Sequence, residues 1–398
     1  MLTTAAALEK VLAAMPEFPA ESIAAENTHG RVLRQDFVDD RDLPPFDRVM
    51  MDGIALAHAS FAAGQREYPI QATQMAGAPA LQLEAGQCIE IMTGAALPAG
   101  ADCIVPVERI SIRDGLATLE DGYDAQERQF IHARASDHAA GTRLLAPGKR
   151  ISPLDIAVIA SAGLTDVAVT RAPVVRVLST GDELVPAGEA IEDHQIRMSN
   201  GPATIALLGR HGYHDCAHDH LADEPGILEE RIAAHLQEAD VLVLSGGVSM
   251  GKADYVPDVL ARLGVEVVFH KVSQRPGKPM WFGTAPGDKV VFALPGNPVS
   301  ALVCCRQYVI PALEKASGGS ETAPEFAALA SEITFNPDLT CFQPVRLVSN
   351  AAGQVLAIPV MTNTSGDFAA LSGTDGYVEL IREQSHFPTG SPVRLYRW

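Results

Sequence analysis

The sequence contains no run of about 18 apolar residues, the length a helix needs to cross a bilayer. Met1 to Met15 also lack a basic stretch followed by an apolar one. Neither a membrane span nor a secretory signal is expected, and the expected compartment is the cytoplasm. Cysteine is sparse and badly spaced for metal or disulfide work. Cys88, Cys103, Cys216, Cys304, Cys305 and Cys341 include no CxxC pair, so they read as reduced core residues. Positive charge is scarce as well: 30 Lys and Arg against 49 Asp and Glu leave a formal charge of −19. A duplex nucleic-acid partner needs basic surface to displace counterions, so none is expected. Any anionic ligand must be held by locally placed cations.

What is present is a large apolar fraction. With 398 residues, 47% of them hydrophobic, the chain can bury several cores, and about two to four domains are expected. Leu8, Val11, Leu12 and Met15 repeat at helical spacing and stop at Pro16, which opens the chain with an amphipathic helix. From residue 41 to 136 short alternating segments such as Gln87 to Met92 and Asp102 to Val107, broken by Pro and Gly, suggest a β-rich inserted module. Residues 1–40 and 137–172 form a small helical or linker domain around it. From Pro173 a βα alternation begins. Strands are expected at Val174 to Leu178, Val241 to Leu244, Val265 to His270 and Val290 to Leu294, with helices at 202–209, 224–235, 254–263 and 299–315. That is a doubly wound, mostly parallel α/β domain over 173–319. Residues 320–398 alternate without helical spacing and read as a C-terminal β domain. The class is thus α/β and β, multidomain.

In a doubly wound sheet ligands bind at the carboxyl edge, and this edge is unusually furnished. After Val241 to Leu244 come Ser245, Gly246, Gly247, Val248, Ser249, Met250, Gly251, Lys252, Ala253 and Asp254. Three glycines leave backbone N–H groups unshielded, as an oxyanion nest requires. A second turn, Pro295-Gly296-Asn297-Pro298, follows the strand that ends at Leu294, and two phosphate-sized cradles in one sheet suggest a bulky anionic ligand. The first strand ends in Ser179-Thr180-Gly181-Asp182-Glu183. Its carboxylates serve chemistry there or only complement a helix dipole. The loop His270 to Pro279 carries Lys271, Arg275 and Lys278, either as anion ligands or as solvated surface. Outside this domain, Pro44 to Ala55 is too ornate for an ordinary connector, and Thr93 to Asp102 offers a hydroxyl and free amides.

Met51-Asp52-Gly53, Ile91-Met92-Thr93-Gly94-Ala95, Ser179 to Leu184, Ser245 to Ser249 with Asp254, Pro276-Gly277-Lys278-Pro279 and Leu294 to Ser300 occur in the order and spacing of one family. In these stretches, which span most of the chain, the sequence resembles molybdopterin molybdenumtransferase, the molybdenum insertase to which the last domain of gephyrin is related. The resemblance implies four domains and a homodimer whose cleft lies between the α/β domain of one chain and the β-rich module of its partner. It implies molybdate and adenylylated molybdopterin as substrates, AMP as product, and a divalent cation such as Mg²⁺. Transient contacts with other molybdenum-cofactor enzymes would fit the same role. Carried over by motif, the acidic positions are Asp52, Asp137, Glu183, Asp223 and Asp254, and the basic ones Lys271, Arg275 and Lys278.

Five carboxylates around phosphate and molybdate would repel both, so cations must intervene. Mg²⁺ prefers one or two carboxylates plus substrate phosphate, and Glu183 and Asp254 are the expected holders. Asp52 and Asp137 would then orient water or move protons, Lys271 and Arg275 would hold molybdate, and Lys278 with the glycine turns would hold phosphate. Three features depart from the family pattern. Val49, Met50 and Ile54 replace the usual serine, alanine and tyrosine around Asp52; Ala135-Ser136 stand before Asp137 in place of Gly-Glu; and Arg275 stands where lysine is frequent. A guanidinium fork and a point charge present different ligand geometry. The spacing of His211, His214, Cys216, His218, Asp219 and His220 fits no recurrent zinc pattern and reads as a polar strand and loop. Two other functions remain open at this stage: a pterin-binding scaffold without transfer activity, and a hydrolase such as a nicotinamide-nucleotide amidase sharing the α/β domain.

Overall fold

The computed structural model describes residues 1–247 and 255–398. The chain divides into two compact units. One comprises residues 1–35, 147–156 and 165–398, the other 36–146 and 157–164.

The larger unit is built on a six-stranded sheet. Its strands lie in the order Cys216–Leu221, Val175–Thr180, Val241–Ser245, Lys289–Leu294, Trp281–Ala285, Glu266–His270. The first three neighbouring pairs are parallel. Every residue of Val241–Ser245 is buried, and its side chains alternate between two cores, as a strand covered on both faces requires. Val241 and Val243 pack with Leu207, Leu208 and Ala301 on one face, while Leu242 and Leu244 pack with Leu228, Ile232 and Val259 on the other. Helices Asn200–Arg210 and Pro298–Cys304 therefore cover one side, and Pro225–Glu238 and Val256–Arg262 the other. The doubly wound arrangement expected from the sequence is present. One strand was not expected: Trp281–Ala285 runs antiparallel to both neighbours, because Pro286-Gly287-Asp288 turns the chain straight back into Lys289–Leu294. The sheet is accordingly mixed.

The N-terminal helix, Thr4–Ala14, begins at Thr3, whose Oγ1 accepts from the Ala6 amide at 3.2 Å. Ala7 and Val11 join the core of the α/β sheet, so the helix belongs energetically to that domain. Five C-terminal strands close on themselves: Thr340–Ser349 pairs with Val355–Pro359, then Glu325–Leu329, Pro392–Arg397 and Gly376–Leu380, which pairs back with Thr340–Ser349. Closure leaves this small barrel without a free sheet edge. All six cysteines are free thiols and five are buried.

The smaller unit carries its own six-stranded sheet, with strands Cys103–Pro106, Gly53–Leu56, Cys88–Ile91, Glu67–Gln74, Leu116–Leu119 and Ile110–Arg113 in that order. Ile54 and Leu56 face one core, with Phe61 and Tyr68, and Ala55 faces another with Ile89 and Ile104.

Candidate active site

The carboxyl ends of the central strands are level. Ser179 is in register with His220 and Ser245, and Ser245 with Leu294, so the four loops that follow emerge side by side. They enclose a cleft of about 450 Å³. Ser179, Thr180, Glu183, Asp223, Ser245, Gly246, Gly247 and the turn Pro295, Gly296, Asn297 and Pro298 all line it. The strand order reverses next to Val175–Thr180, which places the cleft at the topological switch point where doubly wound sheets bind ligands. Gly246 holds φ +104°, and a Cβ there would come within 2.5 Å of the Thr180 carbonyl oxygen, so the close turn is available only to glycine. Gly181 is not among the residues lining the cleft; its carbonyl accepts from His220 Nε2 at 2.9 Å. Ser249, Gly251 and Asp254 lie outside the described residues.

Asn200 was not singled out in the sequence, yet it joins the two glycine turns. Its Nδ2 donates to Ser245 Oγ at 2.8 Å and to the Gly296 carbonyl at 2.7 Å. The signal was a Ser199-Asn200 pair ahead of the helical pattern, a common helix-start signature. Two buried polar atoms among the residues lining the cleft, Thr180 Oγ1 and Asn200 Oδ1, have no hydrogen-bond partner among the described residues. Buried polar atoms are normally paired, and unpaired ones concentrate where a ligand completes the set. Ser179 is 2.9 Å from His218 Nε2, and burial pushes that imidazole below its ordinary pKa, opposed by Asp219. Asp219 of the histidine-rich segment is engaged separately: it accepts from Arg231 and meets His235 Nε2 at 2.8 Å.

Arg275 and Lys278 line a second, larger cleft of about 920 Å³, bounded by the C-terminal barrel and sharing Pro279, Pro295 and Asn297 with the first. Lys271 is among the lining residues of neither cleft. The loop that carries these cations is anchored from beneath. Gln274 is fully buried, donates to the Pro276 carbonyl at 3.0 Å, and accepts from Tyr308 in a π-helical turn, Cys305–Val309. Asn297 Nδ2 reaches Ser365 Oγ at 2.7 Å, tying the second glycine turn to the far wall of this cleft.

In the smaller unit backbone pairing organises the turns that carry two further candidate carboxylates. Arg48–Val49 pairs with Ile131–His132, and the Val49 carbonyl accepts from Gly94 at 2.9 Å. This brings the turns bearing Asp52, Thr93 and Asp137 onto one framework. Asp52 Oδ1 accepts from the Thr93 amide at 2.6 Å and its hydroxyl at 2.7 Å, which holds the carboxyl below its usual range. Gly53 must be glycine, because a Cβ there would stand 2.0 Å from the Val105 carbonyl oxygen. Asp137 Oδ1 lies 2.9 Å from His132 Nε2.

Hard oxygen donors dominate the first cleft: the Glu183 and Asp223 carboxylates and the Ser179, Thr180 and Ser245 hydroxyls. This set fits Mg²⁺ rather than a soft metal. No group of three His, Cys, Asp or Glu side chains forms a ready-made cage among the described residues. No helix among the described residues is long and apolar enough to cross a membrane.

Comparison with known proteins gives three consecutive family matches: the MoeA N-terminal region (domain I and II) over residues 2–163, a probable molybdopterin binding domain over 176–315, and the MoeA C-terminal region (domain IV) over 327–398. The molybdopterin molybdenumtransferase of Synechocystis sp. is 38% identical over 404 residues, covering 100% of both chains. That of Staphylococcus aureus (strain MRSA252) is 30% identical over 400 residues, covering 98% of this chain and 94% of its own. A solved structure of a molybdopterin biosynthesis MoeA protein from Pyrococcus horikoshii matches with a TM-score of 0.81 at 28% identity, covering 100% of this chain and 99% of that one.

Proposed function

The chain belongs to the molybdopterin molybdenumtransferase family, and from that premise we propose that it inserts molybdenum from molybdate into the dithiolene of adenylylated molybdopterin and releases AMP. The observation that carries this reading is the cleft at the switch point. It combines two glycine turns, four hydroxyl-bearing residues, an acidic rim and two buried polar atoms with no partner among the described residues, beside a second cleft that presents Arg275 and Lys278.

In this reading the glycine turns and the Ser179, Thr180 and Ser245 hydroxyls receive the phosphate-bearing part of the substrate. Asn200 keeps the two turns at fixed separation. Arg275 and Lys278 hold molybdate in the adjoining cleft, with Lys271 adding longer-range positive charge. Glu183 and the sequence-assigned Asp254 hold Mg²⁺, with Asp223 on the same rim; the ion would supply charge neutralisation for the phosphoanhydride whose P–O bond water breaks. The dithiolene sulfurs replace oxo groups on molybdenum, and each departing oxygen must gain protons. Asp52 and Asp137 are the proposed proton-handling carboxylates. A pterin-binding scaffold would have no use for them.

The active assembly is proposed to be a cytoplasmic homodimer in which the β-rich module of one chain completes the cleft of its partner. Its modules would be 1–40 with 137–172, 41–136, 173–319 and 320–398. The breaks between matched families at 163/176 and 315/327 support the last two boundaries. The decisive experiment incubates the purified protein with molybdate, Mg²⁺ and adenylylated molybdopterin and measures AMP together with molybdenum bound to the pterin. Absence of both products from folded protein would overturn the proposal.

A further inference from the structure

We propose that His132 is a positioning residue for Asp137, held by the Arg48 guanidinium as a neutral imidazole with its proton on Nε2. The inference rests on the reading of Asp137 as a proton-handling carboxylate. It starts from three groups in a line. Arg48 Nη2 lies 3.0 Å from His132 Nδ1, and His132 Nε2 lies 2.9 Å from Asp137 Oδ1.

A guanidinium has N–H donors and no acceptor. At 3.0 Å from Arg48, Nδ1 must therefore present its lone pair, because an imidazolium or the Nδ1–H tautomer would set one N–H against another. The single ring proton is left on Nε2, where it donates to Asp137. One arrangement of ring protons therefore satisfies all three groups.

The backbone makes the line obligatory. Arg48 and His132 are direct register partners in the antiparallel pair of Arg48–Val49 with Ile131–His132, so their side chains share a face. Five residues on, the chain returns through a turn in which the Ser136 amide donates to Ala133 and Ala135 adopts φ +61°. The Asp137 amide then donates to the Leu43 carbonyl at 2.9 Å. The carboxylate is thereby pinned at its backbone and at Oδ1, which leaves Oδ2 as the oxygen that can take up a proton. His132 and Asp137 side chains are 26% and 43% exposed, enough for the carboxylate to meet substrate while the imidazole stays half-buried behind it.

The test uses the full-length protein. Multiple-bond ¹H–¹⁵N spectra at pH 7, with the His132 signals identified by their loss in His132→Gln, should show a protonated Nε2 and a bare Nδ1, and Arg48→Ala should abolish that pattern. An imidazolium or Nδ1–H tautomer in the wild type overturns the proposal. In the insertion assay, read as molybdenum bound to the pterin, His132→Ala should lower kcat about tenfold, the worth of one charge-assisted hydrogen bond, with KM for adenylylated molybdopterin unchanged. His132→Gln, whose amide can donate in place of Nε2–H, should recover most of the loss. An inactive Asp137→Ala beside a fully active His132→Ala would refute the positioning role alone, whereas a fully active Asp137→Ala would refute the reading of Asp137 on which it rests.

Discussion

Replacing Thr180 by valine should stabilise the larger unit and weaken its ligand, two effects of opposite sign from one atom. Thr180 is 3% exposed, and its Oγ1 has no hydrogen-bond partner among the described residues. A buried hydroxyl left unpaired costs about 1–3 kcal/mol. Valine keeps the branched shape and removes that cost, so a gain of about 1 kcal/mol is expected. Both tryptophans, Trp281 and Trp398, belong to the larger unit, so tryptophan fluorescence during urea unfolding reports that unit without contribution from the other. With a slope of about 3 kcal/mol per molar urea for a unit of this size, the midpoint should rise by about 0.3 M. The same hydroxyl lies beside the glycine turns, 2.9 Å from where a Cβ on Gly246 or Gly247 would stand. A phosphate seated there would take its hydrogen bond, so Thr180→Val should weaken AMP binding in titration calorimetry by about five- to tenfold. A lowered urea midpoint with unchanged AMP affinity would refute the reasoning, since the hydroxyl would then be satisfied within the protein and idle toward the ligand.

Three further expectations follow from the same geometry. Gly53→Ala places a methyl group 2.0 Å from the Val105 carbonyl oxygen, so it should destabilise the smaller unit by about 2 kcal/mol or more; limited proteolysis should detect this, and wild-type resistance would contradict the close approach. Thr93→Val removes the hydroxyl partner of Asp52 while keeping the amide, so the Asp52 carboxyl, now held below its ordinary 3.8, should titrate closer to it by carbon NMR. Because a depressed carboxyl stabilises the fold above its unfolded pKa and loses that contribution as pH falls through the folded one, the variant should be less stable than wild type near neutrality and converge with it in acid, once the carboxyl is protonated in both. Asp52→Ala and Glu183→Ala chains, each inactive alone, should regain partial AMP release when mixed and allowed to exchange, because one cleft per mixed dimer is intact; no recovery after demonstrated exchange would argue against a shared cleft.

Much of this molecule was legible in the order of its residues. Strand positions in the α/β domain followed from apolar runs ending in glycine turns, since a strand buried on both faces needs continuous hydrophobicity and its exit needs backbone freedom. Val241–Ser245 and Lys289–Leu294 lie within a residue of where that pattern put them. The candidate chemistry was also local: hydroxyls, carboxylates and cations at strand ends are adjacent in sequence to the strands that present them. Trp281–Ala285 escaped notice because its burial comes from a hairpin partner rather than from a helical crossover, and the N-terminal helix gave no hint that its small residues enter the α/β core.

The sequence by itself determined the doubly wound domain, the β character of the flanking segments and the residue types of the site, because periodicity and turn chemistry are properties of neighbours along the chain. Only the tertiary structure decided which of those residues meet. Asn200 bridges turns that are 45 and 96 positions away in the chain, Lys278 shares a cleft with Arg275 and the barrel, and Arg48 meets His132 across 84 positions. Contacts of that span depend on strand register and helix packing, which sum over the whole domain and leave no signature at either residue alone.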